Sequence, residues 1–131
     1  MILAIDPGTT SSGYVLFAGG IAADAGVLAN DRVLEMVRTW PGPLAVEMIA
    51  SYGMPVGAEV FETVRWIGRF QQAYQDPDAV RLVFRKDVKM HLCGTPRAKD
   101  ANIRQALIDK LGAPGTKKNP GPTYGVKSHA W

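Results

Sequence analysis

The chain has 131 residues, 47% of them hydrophobic and 21% charged, and a formal net charge of +3. That is one domain's worth of chain with apolar material for a single core. It contains no apolar run near the roughly 18 residues of a membrane span and no basic stretch before the first strand, so neither secretion nor membrane insertion is indicated and a cytoplasmic protein is expected. The single cysteine, Cys93, excludes an internal disulfide or a thiolate zinc cluster and reads as a small apolar residue.

"MILAI" reads as a continuous buried strand, "GYVLFAG" as a second and "ADAGVLA" as a weaker third, joined by short glycine-containing connections in a three-strand meander. Asn30 then offers a helix N-cap, Val33, Leu34 and Val37 follow at helical spacing, and Pro41 and Pro43 end the helix. "LAVEMI" is another buried strand. After the Gly/Pro loop "SYGMPVG", the spacing predicts a long helix from Ala58 to about Tyr74, with more apolar surface than one core-facing stripe needs. "VRLVF" is a fifth strand, "RKDVKMHL" a short helix, and "KDANIRQALIDKLG" an amphipathic helix ended by Gly112. The remaining "APGTKKNPGPTYGVKSHAW" is too rich in Gly and Pro for regular structure until its last few positions.

A meander, a helix, and then strands alternating with helices define an α/β class with a five-stranded mixed sheet. A strand returning after a helix normally lies parallel to and beside an earlier one. If "LAVEMI" pairs with "MILAID", Asp6 and Glu47 become neighbours at the carboxyl ends of strands about 4.8 Å apart, where open sheets bind ligands. Two carboxylates about 4 Å apart repel by roughly 4 kcal/mol at an effective dielectric of 20. A shared proton, an intruding basic residue or a hard divalent cation would relieve this. Neither strand carries Lys or Arg, and a cation such as Mg²⁺ or Mn²⁺ is the economical answer. The bland alternative is a turn cap at Asp6 and a solvated Glu47.

The turn "DPGTTSSG" is a rival site. It is similar to the phosphate-binding loop of sugar kinases and actin-like ATPases, but those need two such domains to enclose a nucleotide, and this chain carries neither a Walker nor a dinucleotide glycine pattern. Gly8 and Gly13 also suffice to explain a tight hairpin.

Four segments in order carry a more specific resemblance. "ILAIDPGTTSSGYVLF", "LAVEMIASYGMPVGAEVFETVRWIGRF", "VKMHLCGTPRAKDANIRQALID" and "GVKSHAW" resemble the motifs of RuvC-type Holliday junction resolvases, particularly phage-borne members, within the RNase H-like superfamily. The resemblance implies an RNase H-like nuclease domain over 1–131 and metal-dependent hydrolysis of phosphodiesters in four-way DNA junctions. It also implies two Mg²⁺ ions per site, with Mn²⁺ as a substitute, held by Asp6, Glu47 and His129. Lys89 and Lys99 match basic positions near the scissile phosphate. The family pattern expects a further Asp three residues after His129, so the domain is expected to lack the end of its C-terminal helix.

Charge distribution is consistent with a polyanionic partner: the first 31 residues carry no Lys or Arg, and basic residues gather in the C-terminal half. Arg85, Lys86, Arg97, Lys117 and Lys118 are candidate phosphate contacts, and Tyr52 and Met54 could wedge or stack at an opened junction. His91 reads as a surface residue. A four-way junction has two strands to cut, so a homodimer is expected, with Phe61, Val64, Trp66 and Phe70 of the long helix as its apolar surface. Two other functions compete with the nuclease: a non-catalytic junction-binding protein of the same fold, and an actin-like nucleotide-binding fragment.

Overall fold

Every strand anticipated from the hydrophobic pattern is present in the computed structural model, which describes residues 1–126. β1 (Ile2–Asp6), β2 (Ser11–Ala18) and β3 (Ile21–Ala29) form the antiparallel meander. β4 (Leu44–Met48) and β5 (Arg81–Phe84) follow as parallel additions on the other side of β1, giving the five-stranded order β3-β2-β1-β4-β5. The sheet is therefore mixed. β1 lies at its middle with β4 beside it, and β3 and β5 are its edges.

Side-chain alternation divides the two faces of the sheet. On one face Leu3, Ile5, Leu44 and Val46 are buried and form one core with Val33, Leu34 and Val37 of α1 (Asn30–Thr39) and Ile67 and Phe70 of α2 (Ala58–Ala73). Both crossover helices thus cover the same face. α1 stops where Pro41 and Pro43 forbid its continuation, and Trp40 closes the corner by donating its indole N–H to the Pro43 carbonyl at 2.8 Å. The buried Tyr74 just after α2 donates its hydroxyl to the Gly42 carbonyl, tying the two helix exits together.

The apolar excess of α2 divides in two. Thr63, Ile67 and Phe70 are buried, and Trp66 is half-buried against Phe70 with the Arg69 guanidinium 4.0 Å above its ring. Phe61 and Val64 are exposed, at 63% and 36%. Of the four residues expected to form a partner surface, Phe70 belongs instead to the core and Trp66 packs beside it.

The opposite face carries Ala4, Asp6, Ala45 and Glu47 and meets the C-terminal half of the chain. α3 (Arg85–Cys93) follows β5 directly and ends at Gly94, whose φ of 72° is the left-handed cap that glycine adopts without penalty. α4 (Asp100–Leu111) buries Ile103, and Thr123 anchors the following segment by donating to the Gly112 carbonyl at 2.8 Å. Between this layer and the sheet lies an apolar cavity of about 380 Å³ lined by Phe17, Leu92, Leu107, Leu111 and Val126 among others. Cys93 is only partly buried. Among the described residues, no helix is long and apolar enough to cross a membrane.

Candidate active site

Asp6 and Glu47 are brought together by the register of the sheet. β1 pairs in parallel with β4 through Leu3↔Leu44, Ala4↔Ala45 and Ile5↔Val46. Asp6 and Glu47 are each one residue further along, so they stand side by side at the carboxyl ends of adjacent strands and project to the same face. Each is also fixed from its outer side, Asp6 opposite Gly13 of β2 and Glu47 opposite Val83 of β5. Both line a pocket of about 180 Å³ together with Ala4, Gly13, Ala45 and Val88. The neighbours are small for a reason of geometry: at Ala4, Gly13 and Ala45 little or no side chain competes for the space beside the carboxylates.

The donor chemistry fits a divalent cation of the magnesium type, since two carboxylates in register offer hard oxygen ligands over a shallow pocket floor. His129, expected as a third ligand, lies outside the described residues. Among the described residues, no group of three His, Cys, Asp or Glu side chains gathers.

The turn after Asp6 is explained by its own hydrogen bonds. The Gly8 N–H donates to Ser12 Oγ at 3.2 Å, the Ser12 hydroxyl donates to Asn30 Oδ1 at 2.5 Å, and Asn30 Nδ2 donates to the Gly8 carbonyl at 3.0 Å. A Cβ at Gly8 would lie 2.2 Å from the Ser11 carbonyl oxygen, so only glycine fits. Both polar groups of Gly8 are thereby used within the turn, which tells against the phosphate-cradle reading. Asn30 departs from its expected role as well. Ala29 occupies the N-cap position, and the Asn30 side chain reaches back to the turn rather than capping α1.

The basic candidates separate into two groups. Arg85, Lys86 and Lys89, on one face of α3, line a cleft of about 280 Å³ with Tyr52 and Pro96. Val88, their neighbour on the same helix, lines the carboxylate pocket, so the two hollows flank α3. Arg85 also pairs with Asp100 at the start of α4, which joins α3 to α4. Tyr52 is 63% exposed with φ of 51°, a left-handed conformation uncommon outside glycine, and Met54 beyond it is exposed too. Arg97, Lys99, Lys117 and Lys118 are exposed and line neither hollow. Lys99 precedes α4, where its backbone N–H donates to Asn102 Oδ1 at 2.9 Å. His91 is exposed, as expected of a surface residue.

Sequence reasoning missed Val83 and Val88 as pocket walls, and Ser12 and Asn30 behind the turn. Ser12 had a signal. Period-two alternation places it on the inward face of β2 with Tyr14 and Leu16, where a polar residue needs an internal partner.

A mixed sheet in this order, with paired acids at the carboxyl ends of its central strands, is the RNase H-like fold. The chain superposes on Thermus thermophilus RuvC in complex with a Holliday junction substrate with a TM-score of 0.63 and 22% identity, covering 86% of this chain and 79% of that one. A second structure of Thermus thermophilus RuvC gives a TM-score of 0.62 and 22% identity over 98% of this chain and 86% of that one. No protein-family model and no curated protein matches the sequence.

Proposed function

We propose that this chain is a divalent-metal-dependent endonuclease that cuts four-way DNA junctions by phosphodiester hydrolysis. The observation that carries this reading is the register of β1 on β4, which aligns Asp6 and Glu47 on one face of a RuvC-like fold. Support for the substrate class comes from the RuvC neighbour bound to a Holliday junction and from the basic cleft across α3.

Asp6, in the centre of the sheet, would ligate and orient, and Glu47 would hold a cation from the β4 side, with His129 as the expected further ligand. Divalent cations in such sites supply an activated water and charge stabilisation at the departing oxygen. Lys89, and by family position Lys99, would offset the charge that grows on the phosphoryl oxygens. Arg85 and Lys86 would hold the neighbouring backbone through charge rather than base identity, and Tyr52 would stack on an unpaired base. Phe61 and Val64 on α2 supply an apolar surface on which a second copy could dock, giving a homodimer with one site for each of two strands.

The test is cleavage of a synthetic four-way junction in Mg²⁺ or Mn²⁺. Asp6→Asn and Glu47→Gln should each lower the rate by at least about a hundredfold, as expected when a metal ligand is lost, while junction binding in Ca²⁺ persists. Wild-type protein that binds the junction yet leaves it intact in both metals would make this a junction-binding protein instead.

A further inference from the structure

The cycle of hydrogen bonds behind the turn has no role in the reading above. Its three donors run in one direction, from the Gly8 N–H to Ser12, from the Ser12 hydroxyl to Asn30, and from the Asn30 amide to the Gly8 carbonyl. Ser12 and Asn30 are 1% and 2% exposed, and no buried side-chain polar atom lacks a partner among the described residues. A closed ring of this kind in a low-dielectric setting polarises its own members and rigidifies what it encloses.

What it encloses is the chain leaving Asp6. Pro7 fixes its own φ, and Gly8 is held through both its N–H and its carbonyl. Laterally, Asp6 pairs with Gly13, the residue next to Ser12. The carboxylate therefore projects from a backbone braced ahead and beside, from the sheet face opposite to its own. Docking α1 does not require this ring. The Asn30 backbone N–H already donates to the Thr10 carbonyl at 3.0 Å, and Val33, Leu34 and Val37 bury the helix face. An apolar pair would fill the same volume without the desolvation cost of buried polar groups.

We infer that Ser12 and Asn30 are positioning residues that set the Asp6 carboxylate for a divalent cation. This rests on the metal reading of Asp6 and Glu47 given above. It implies that the acid's geometry, rather than fold stability alone, depends on a hydroxyl and a carboxamide that never touch the ligand.

The test measures Mn²⁺ binding by calorimetry, alongside urea denaturation, in wild type, Asp6→Asn, Ser12→Ala, Asn30→Asp and Val37→Ala. Val37 is buried in the α1 core and stands apart from the turn, so its truncation supplies a destabilised control. Wild type should bind Mn²⁺, and Asp6→Asn should abolish that binding. Ser12→Ala and Asn30→Asp should weaken it by about tenfold, the usual scale for residues that orient metal ligands. Val37→Ala should leave it unchanged despite lost stability. Folded Ser12→Ala and Asn30→Asp proteins with wild-type Mn²⁺ affinity would overturn the inference and leave the metal reading intact. Wild-type protein without Asp6-dependent Mn²⁺ binding would remove both.

Discussion

Single residues in this fold often serve ends that their type alone would not reveal. Asn30 stands at the start of a helix, where its amide would ordinarily cap, yet it is spent on a turn. Tyr14 is comparable. Its hydroxyl donates to Asp24 Oδ2 at 3.0 Å across the β2–β3 pair, and burial, followed by the adjacent Asp24 charge and hydrogen bond, raises its pKa above the ordinary 10.0. A phenol whose folded pKa is raised stabilises the fold below its unfolded pKa, and that contribution fades as pH climbs through the folded value. The stability advantage of wild type over Tyr14→Phe should therefore shrink above pH 10.0, as read from urea midpoints on either side of it.

At the level of elements, sequence patterning was informative where one signal dominated. The five strands and four main helices of the described residues follow from hydrophobic period, and two of the helix ends from Pro41, Pro43 and Gly112, whereas the Gly94 cap of α3 emerged only with the structure. Asp6 and Glu47 were legible for the same reason, because a parallel return of β4 onto β1 leaves their alignment as the consequence of strand lengths. What sequence could not divide was α2. Periodicity shows an apolar excess but not which side meets the sheet, and that choice depends on where α1 already lies. Truncating the buried side should cost far more than altering the exposed one. Phe70→Ala is expected to destabilise the fold by about 3–5 kcal/mol, measured by urea denaturation. Phe61→Glu should leave that midpoint nearly unmoved and, on the proposed docking of a second copy against α2, shift the protein toward monomer in sedimentation equilibrium. The basic loops were harder to assign for a different cause. Charge attracts a polyanion from any exposed position, so only the fold could separate Arg85, Lys86 and Lys89 in one cleft from Lys117 and Lys118 outside it.

Considered whole, the molecule has an N-terminal meander without Lys or Arg as scaffold and a cationic C-terminal half over the face that bears its acids. Branched DNA held by such a surface, as proposed above, would release counterions, so its affinity should fall steeply with salt. Lys86→Ala and Lys89→Ala should each reduce the slope of log affinity against log salt by about 0.9 if each neutralises one phosphate, as measured by junction-binding titrations. The same arrangement leaves an obligation at the far side of the sheet. β3 runs nine residues along the rim with Asp24 as its one charge, and among the described residues no further strand pairs with its outer edge. Such a rim is adhesive toward other extended chains. Asp24 is the one charge on β3 that would oppose edge-to-edge pairing, and its replacement by a neutral residue is expected to be felt first as turbidity in concentrated solution, before any change at the distant acids.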